Sequence, residues 1–234
     1  MCYVIAMKLF HLSLLSLALL AGCGQKPTNQ TATGVPATGV PDTSPAKLPA
    51  LKPGEAVATL AGGCFWCVEE ELESLRGVHE VVSGYAGGEV ANPTYEQVGS
   101  DQTGHAESVQ VYYDPNVIPF DTLLTAFFAA HDPTTLNRQG PDRGTQYRSV
   151  AFYRTPDEKA RIEAAIRRTN ESEHFDDPVV TQVVPFKAFY PAEVYHQGYY
   201  RAHPDNPYVY EVSKPKVEKF RKVMKALLTP QASS

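Results

Sequence analysis

Residues 56–77 read AVATLAGGCFWCVEEELESLRG, a run that combines a fold signal with a chemical one. The apolar residues 56–61 end at a pair of glycines, which predicts a short strand followed by a tight turn. Beyond the turn, apolar residues recur at helical spacing until Gly77, which predicts a helix over residues 64–76. The apolar face holds Val68, Leu72 and Leu75, and glutamates occupy positions 69, 70, 71 and 73. We therefore expect a strand, a turn and a helix that starts at or near Cys64.

Cys64 and Cys67 lie at the start of this predicted helix with two residues between them. Unpaired backbone N–H groups and the positive end of the helix dipole favour a thiolate there, so we expect a lowered pKa for the Cys64 thiol. Cys67 is close enough on one helical face to form a disulfide with Cys64 after a small adjustment. The pair therefore favours redox chemistry. The bulky Phe65 and Trp66 between the thiols suggest a small apolar pocket rather than a thioredoxin-like fold.

Three other interpretations of the cysteine pair stay open on the spacing alone. A structural disulfide is one of them, although so short a loop constrains the unfolded chain little. A zinc site would need two further ligands, and His196 and His203 are seven positions apart, which is not a usual ligand spacing. The third interpretation is a pair of inert thiols in the core.

The rest of the region from residue 54 alternates predicted strands with predicted helices. Strands are expected at residues 81–85, 108–113, 149–153 and 179–184, and in the second of them Val109, Val111 and Tyr113 share one side. Helices are expected at residues 120–130, at residues 156–168 after the capping box of Thr155 to Glu158, and at the apolar stripe of Val217, Phe220, Met224 and Leu227. This order predicts the α+β class, as a two-layer sandwich of a mixed β-sheet with flanking helices.

The composition excludes several classes of protein. Of the 234 residues, 43% are hydrophobic and 10% aromatic, so the chain can bury a core and is not a wholly disordered, collagen-like or coiled-coil sequence. The formal charge is −5 and no long basic run is present, which argues against a nucleic-acid partner. Four cysteines, at positions 2, 23, 64 and 67, are too few for a disulfide scaffold in a chain of this length.

Residues 1–22 have the pattern of a secretory signal peptide. One cation, Lys8, precedes an apolar run over residues 9–21, which is shorter than the roughly 18 residues that a transmembrane helix needs. The tetrapeptide Leu20-Ala21-Gly22-Cys23 resembles the lipobox of bacterial lipoproteins, which implies that Cys23 is lipidated and becomes the mature N-terminus. Gly24 stands where lipoproteins retained in the inner membrane tend to carry aspartate. We therefore expect an outer-membrane anchor facing the periplasm. A buried core helix is the less favoured interpretation of the apolar run.

Residues 23–53 are predicted to form a tether. Positions 24–53 hold six prolines and five threonines but no aromatic residue, a composition that cannot bury enough apolar surface to become ordered by itself. A proline-rich partner motif is the less favoured alternative, because no PxxP core with flanking cations is present. We expect the tether to hold a single folded domain, residues 54–234, away from a membrane.

A series of further motifs follows the cysteine pair along the chain. They are GYAGG (84–88), PTYEQV (93–98), TGHAE (103–107), YDP (113–115), HDPT (131–134), NRQGPD (137–142) with Gly144, QYRS (146–149), and AE (192–193) with YHQ (195–197). Together with GCFWC (63–67), this series resembles the A-type peptide methionine sulfoxide reductase family over about residues 57–200. The resemblance implies a ferredoxin-like core, and an enzyme that uses thiols to reduce methionine S-sulfoxide, free or in proteins. It implies no metal or organic cofactor.

The resemblance also implies a role for each matching residue. Cys64 corresponds to the nucleophile that attacks the sulfoxide sulfur, and Phe65 and Trp66 to the walls of the pocket for the substrate's methyl group. Glu107 corresponds to the acid that protonates the sulfoxide oxygen, which suits a carboxyl group whose pKa is raised in an apolar site. The remaining matches are Tyr95 and Tyr147, whose hydroxyls hold that oxygen, and Asp142, which supports the polar site.

Many members of this family carry resolving cysteines in a C-terminal tail. Here no cysteine follows Cys67, and residues 214–228 predict an amphipathic basic helix instead. Other members carry the second cysteine within GCFWC, so we expect Cys67 to resolve a sulfenic acid on Cys64 to a disulfide. An external dithiol, a thioredoxin-like partner, would then reduce this disulfide.

Three smaller expectations complete the prediction. We expect a monomer and a packing role for His196 rather than metal binding. We expect His105 to be an ordinary loop residue, and rank an influence on the neighbouring Glu107 below that. The contrasting function is a non-catalytic envelope lipoprotein whose CxxC is a structural element.

Overall fold

The computed structural model describes residues 39–233. The predicted signal peptide, Cys23 and the first part of the predicted tether therefore lie outside the described residues. Within residues 39–233, no helix is both long enough and apolar enough to cross a membrane.

The described chain alternates strands and helices. The strands are β1 Ala56–Gly62, β2 Val78–Ala86, β3 Ala106–Tyr113, β4 Arg138–Gln139, β5 Asp142–Arg143, β6 Ser149–Tyr153, β7 Gln182–Pro185 and β8 Phe189–Pro191. The α-helices are α1 Phe65–Glu73, α2 Tyr95–Gly99, α3 Phe120–Ala130, α4 Pro156–Glu171, α5 Tyr199–Ala202 and α6 Lys214–Val223. Short 3₁₀ turns cover Thr145–Tyr147, Val194–His196 and Lys225–Leu227, and a π-helical turn covers Val209–Ser213.

Six strands form one sheet in the order β7-β6-β1-β3-β2-β8. All neighbours are antiparallel except β6 and β7, so the sheet is mixed as predicted. The inner strands β6-β1-β3-β2, with α1 after β1 and α3 after β3, have the connectivity of a ferredoxin-like βαββαβ unit. The predicted α+β sandwich and its ferredoxin-like core are confirmed.

The main core lies between the helices and one face of the sheet. Val109, Val111 and Tyr113 of β3 belong to it, as their alternation predicts, together with Leu72 of α1 and Leu123 of α3. A smaller cluster on the other face of the sheet contains Val82, Tyr112, Val150, Phe152 and Phe189. This division fixes which side chains of each strand reach the helices.

The helix predicted over residues 64–76 is shorter and more deeply buried than its pattern indicates. It covers Phe65–Glu73, and Glu69, Glu70 and Glu71 are all buried. Glu69 accepts hydrogen bonds from Ser83 Oγ (2.9 Å) and from a backbone N–H (2.8 Å), and Glu70 accepts from two arginines. Among the residues that the structure describes, neither carboxyl oxygen of Glu71 has a hydrogen-bond partner. Helix α1 is enclosed because β2, β3, α3, α5 and α6 all pack against it.

The other predicted elements differ from the structure mainly at their ends. Helix α3 and strand β6 have the predicted bounds, and α4 begins at Pro156 as its capping box indicates. The strand predicted over residues 179–184 is β7, Gln182–Pro185, and the final helix ends at Val223 before a 3₁₀ turn. The short elements α2, β4, β5, β8 and α5 were not predicted.

Part of the predicted tether is attached to the domain. Ala46 N–H donates to the Ala192 carbonyl (2.9 Å), and Val194 N–H donates to the Ser44 carbonyl (2.8 Å). Tyr195 N–H donates to the Asp42 carbonyl (3.2 Å). Residues 42–46 therefore run alongside the segment that follows β8.

Candidate active site

The glycine pair places Cys64 at the start of α1. Gly63 has φ +93°, a conformation that L-residues with side chains rarely adopt. A Cβ atom at this position would lie 2.5 Å from Cγ of Gln139. Glycine is therefore needed here both for the backbone turn and for the close approach of Gln139, and the next residue, Cys64, is the N-cap of α1.

Cys64 and Cys67 are free thiols that lie side by side and are almost completely buried. Burial, and after it the neighbouring Cys67 thiol, raises the pKa of the Cys64 thiol. The predicted lowering of this pKa by the helix N-terminus is therefore wrong for the reduced protein. The first N–H group of the helix, that of Phe65, already donates to Glu107 Oε2 (3.0 Å), and only 6% of Cys64 is exposed.

Glu107 comes to the helix N-terminus from strand β3. It is 3% exposed, and it lies opposite Tyr85 in the register of β2 and β3. Burial, and after it the nearby Cys64, raises the pKa of the Glu107 carboxyl group well above its ordinary value. This direction agrees with the expectation of a carboxylic acid that stays protonated at neutral pH.

One cavity of about 350 Å³ collects these groups, and we name it the Glu107 cavity. It is lined by Cys64, Phe65, Trp66, Tyr95, Glu107, Asp142, Tyr147, Asn206 and Tyr208. All residues for which the sequence implied a role at the substrate are therefore brought together, although they come from five separate segments of the chain. Cys67 lies behind Cys64 and does not line this cavity.

The aromatic walls of the Glu107 cavity are held in place from behind. The indole ring of Trp66 stacks on Tyr199, with ring centroids 3.8 Å apart, and its Nε1–H donates to His196 Nδ1 (3.1 Å). Phe65 packs between Tyr85 and Tyr95. Burial lowers the pKa of His196 to about 3, so this ring is neutral and has the packing role predicted for it.

The polar wall contains Tyr95, Tyr147 and Asp142. Tyr95 opens helix α2, and its N–H donates to Glu193 Oε1 (2.9 Å). Burial raises the pKa of both tyrosine hydroxyls, so they remain protonated and able to donate. Asp142, in the β4–β5 hairpin, accepts a hydrogen bond from Tyr208 Oη (2.6 Å).

Three residues of the site were not singled out from the sequence. Tyr208 and Asn206 line the Glu107 cavity, and the Tyr208 hydroxyl also interacts with the Cys64 thiol. Glu193 lies within a quoted motif, but its link from Tyr95 N–H to Tyr85 Oη was not anticipated. One signal was available, because six of the 13 tyrosines fall between residues 190 and 210.

His105 is also a packing residue. Its Nδ1 accepts from Gly88 N–H (3.1 Å) and its Nε2 lies 2.7 Å from the Val90 carbonyl, so the buried ring ties a loop to β3. Within residues 39–233, no three His, Cys, Asp or Glu side chains come together in a group that could hold a metal ion.

Cys64 and Cys67 both line a second cavity, of about 440 Å³, which we name the Cys67 cavity. Besides Cys64 and Cys67, its lining includes residues 128–132, residues 138–140, His174 and Phe175, and Lys216, Lys219 and Val223 of α6. Among the described residues, Cys64 alone lines both cavities.

Comparison with known proteins identifies the family to which the chain belongs. The model of the family described as peptide methionine sulfoxide reductase matches residues 56–228. The chain belongs to this family. The peptide methionine sulfoxide reductase MsrA of Thermus thermophilus is 52% identical over 176 residues, which cover 75% of this chain and 99% of that protein.

Solved structures of family members share the fold. Reduced Mxr1 from Saccharomyces cerevisiae superposes with a TM-score of 0.63 and 34% identity, covering 67% of this chain and 91% of that one. Methionine sulfoxide reductase A of Corynebacterium diphtheriae gives a TM-score of 0.59 and 32% identity, covering 66% and 78%. The chain is a peptide methionine sulfoxide reductase, an oxidoreductase that uses thiols to reduce methionine sulfoxide. The alternative of a non-catalytic lipoprotein is rejected.

Proposed function

We propose that this reductase acts on methionine S-sulfoxide, free or in oxidised proteins, through a Cys64–Cys67 disulfide, and that it repairs oxidative damage in the cell envelope. The observation that carries the chemistry is the meeting of a thiol and a protonated carboxyl group at one helix N-terminus. Glu107 Oε2 lies 3.0 Å from the N–H of the residue after Cys64, and both side chains line the Glu107 cavity.

In the first step, Cys64 Sγ bonds to the sulfoxide sulfur while Glu107 gives its proton to the sulfoxide oxygen. Protonation is needed because a sulfoxide oxygen is a poor leaving group. The thiol proton of Cys64 passes to the Glu107 carboxylate. The hydroxyl group then moves from the substrate sulfur to Cys64 Sγ, so the Sγ–O bond forms while the substrate S–O bond and the bond between the two sulfur atoms break. The products are methionine and a sulfenic acid on Cys64, so methionine gains the two electrons that Cys64 loses.

The other lining residues orient the substrate. Trp66 and Phe65 form an apolar wall that accepts the methyl group, and the sulfoxide oxygen lies toward Tyr95 and Tyr147. Their hydroxyls stabilise charge that develops on the oxygen, and they do so without ionising because burial keeps them protonated. Asp142 holds Tyr208 beside Cys64.

Cys67 completes the oxidative half of the cycle. Its sulfur attacks the Cys64 sulfenic acid, the S–S bond forms, and the S–O bond breaks with release of water. The two thiols lie side by side on the first turn of α1, so the disulfide needs little movement of the backbone. A thioredoxin-like dithiol then returns the pair to the reduced state, and the enzyme works as a monomer.

The envelope location is supported by the sequence of residues 1–23, which has the pattern of a signal peptide followed by a lipobox. In this proposal Cys23 carries the lipid, and the segment up to residue 41 spans the gap between an outer-membrane anchor and the domain in the periplasm. A Cys23→Ala variant should move from the membrane fraction to the soluble periplasmic fraction. Retention of that variant in the membrane fraction would contradict the anchor.

One assay tests the chemistry. The domain is incubated with dithiothreitol and each epimer of methionine sulfoxide, and methionine is quantified. With dithiothreitol we expect reduction of the S epimer, and none with Cys64→Ser. With thioredoxin in place of dithiothreitol, Cys67→Ser should yield a single equivalent of methionine before turnover stops. Mass spectrometry of wild-type protein oxidised by substrate should detect the Cys64–Cys67 disulfide. Its absence would overturn the role of Cys67.

A further inference from the structure

The Cys67 cavity gives a route to the thiol pair that does not pass through the Glu107 cavity. Cys67 contributes to the wall of the Cys67 cavity and not to that of the Glu107 cavity. Cys64 contributes to the walls of both cavities. A reagent that must meet the sulfur of Cys67 therefore has an opening of its own.

Helix α6 presents a second stripe to this opening. Val217, Phe220 and Met224 bury one side of the helix in the core. Lys216, Lys219 and Val223, at the spacing i, i+3 and i+7, line the Cys67 cavity instead. Val223 is 57% exposed. The stripe therefore combines two cations with an exposed apolar side chain at the edge of the cavity.

The charge around the Cys67 cavity differs from that of the whole chain. Among the described residues, its lining contains the cations Arg138, Lys216 and Lys219 and the carboxylate of Asp132; Lys216 Nζ also lies 3.9 Å from Asp142 Oδ2, outside the lining. Burial lowers the pKa of His131, in the same lining, to about 4, so this ring adds no charge at neutral pH. A positive opening on a chain with formal charge −5 attracts an acidic partner and orients it.

We propose that the Cys67 cavity is the docking site for the reductant, a thioredoxin-like protein whose redox-active cysteine is surrounded by apolar and acidic residues. The proposal rests on the Cys64–Cys67 disulfide of the proposed function. Lys219 and Arg138 contact the acidic surface of the partner, and Val223 contacts its apolar surface. The attacking cysteine enters the cavity beside Cys67.

The exchange proceeds in two balanced steps. A thiolate of the reductant attacks Cys67 Sγ, a mixed disulfide forms, and the Cys64–Cys67 bond breaks with Cys64 leaving as a thiolate that takes up a proton. The second thiol of the reductant then attacks the reductant's first sulfur in the mixed disulfide. A disulfide forms within the reductant, and Cys67 is released as a thiol. The reductant is oxidised by two electrons, and both cysteines of this chain return to the reduced state.

Charge reversal at one lysine tests the docking surface. Lys219→Glu is compared with Lys225→Glu, which makes the same change at an exposed position that does not line the cavity. With a bacterial thioredoxin as reductant, we expect Lys219→Glu to raise the KM for thioredoxin about tenfold, and less at high salt. With dithiothreitol, which carries no charge, both variants should match the wild type. Equal KM values for thioredoxin in the two variants would overturn the proposal.

A trapping experiment identifies the sulfur that is attacked. A thioredoxin variant without its second cysteine is mixed with protein that has been oxidised by methionine sulfoxide, and the mixed disulfide is mapped by mass spectrometry. The proposal requires the bond at Cys67, and a bond at Cys64 would contradict it. Failure of the proposed function is recognised separately, because no Cys64–Cys67 disulfide would then be found before thioredoxin is added.

Discussion

Helices α1 and α4 begin in different ways. The N-terminus of α4 is stabilised by its immediate neighbours, since Thr155 Oγ1 accepts from Glu158 N–H (3.1 Å) and Pro156 occupies the first turn. The N-cap of α1 is Cys64, whose side chain makes no capping hydrogen bond. A carboxyl group 42 positions away, that of Glu107, accepts from Phe65 N–H instead.

The two helices also differ in how far their charged residues are buried. Helix α4 buries Ile162 and Ala165 and leaves most of its charged residues exposed or half-buried. Helix α1 buries three consecutive glutamates among five packed elements. A helix with local capping and exposed charge contributes stability, whereas α1 keeps titratable groups out of water at a cost in stability. The comparison therefore separates a structural helix from one that is arranged around chemistry.

The largest expected effect is at the cap of α1. Glu107→Gln keeps an oxygen that can accept from Phe65 N–H but removes the acidic proton. We expect kcat/KM for methionine sulfoxide to fall about 10²–10⁴-fold, the usual contribution of a general acid, while the free energy of unfolding changes little. Steady-state kinetics and urea titration measure the two quantities. Near-normal activity would show that this carboxyl group is only a cap.

The buried carboxyl groups around α1 should make the protein less stable as the pH rises. Burial raises the pKa of Glu69 from about 4.5 to about 7, and it also raises the pKa values of Glu71 and Glu107 well above their ordinary value. A group with a raised folded-state pKa contributes stability that is complete below pH 4.5 and is lost as pH rises through the folded-state value. For Glu69 the loss by pH 8 is about 3 kcal/mol.

Urea titrations at several pH values between 5 and 8 measure this loss. Glu69→Gln should flatten the decline in the free energy of unfolding. Glu163→Gln, at a half-exposed position of α4, should leave the decline as it is. If the free energy of unfolding of Glu69→Gln declined with pH as steeply as that of the wild type, the buried carboxyl group of α1 would not be the cause of the decline.

Glu71 tests the cost of burying a carboxyl group without a partner. Neither of its oxygens has a hydrogen bond, so Glu71→Met, which has a similar shape, should raise the free energy of unfolding by about 1–3 kcal/mol at pH 7. Glu163→Met on α4 is the matched control and should give no such gain. A lower free energy of unfolding in Glu71→Met would contradict this prediction, because it would show that the carboxyl group stabilises the fold.

The smallest effect is expected at the cap of α4. Thr155→Ala removes one local hydrogen bond, so the free energy of unfolding should fall by about 1 kcal/mol. Because α4 takes no part in either cavity lining, kcat and KM should not change. A change in kcat in this variant would contradict the division between the two helices.

The sequence predicts what depends on neighbouring residues. Helix α3, strand β6 and the start of α4 follow from apolar spacing and a capping box, and the spacing of the cysteine pair favours redox chemistry. Tyr208 and Glu193 could not be placed in the same way, because they reach the site only after the chain has folded back. The strand order was likewise not readable from local patterns.

The pKa of Cys64 shows how a local rule can fail. A helix N-terminus favours a thiolate when it is open to solvent, but here burial outweighs the dipole and Glu107 occupies the first N–H group. Burial depends on β3, α5 and α6, which come much later in the chain. The direction of the shift was therefore beyond any inference from residues 62–67 alone.

The position of Cys64 between two cavities has a kinetic consequence. Sulfoxide and reductant act in turn on the same sulfur pair, which gives the parallel double-reciprocal lines of a ping-pong mechanism. In most such mechanisms each substrate inhibits the other at high concentration, because both occupy one site. With the reductant at the Cys67 cavity, as proposed above, the two linings share a single described residue, so we expect an excess of reductant to leave the sulfoxide entrance open and turnover to rise to a plateau without mutual inhibition.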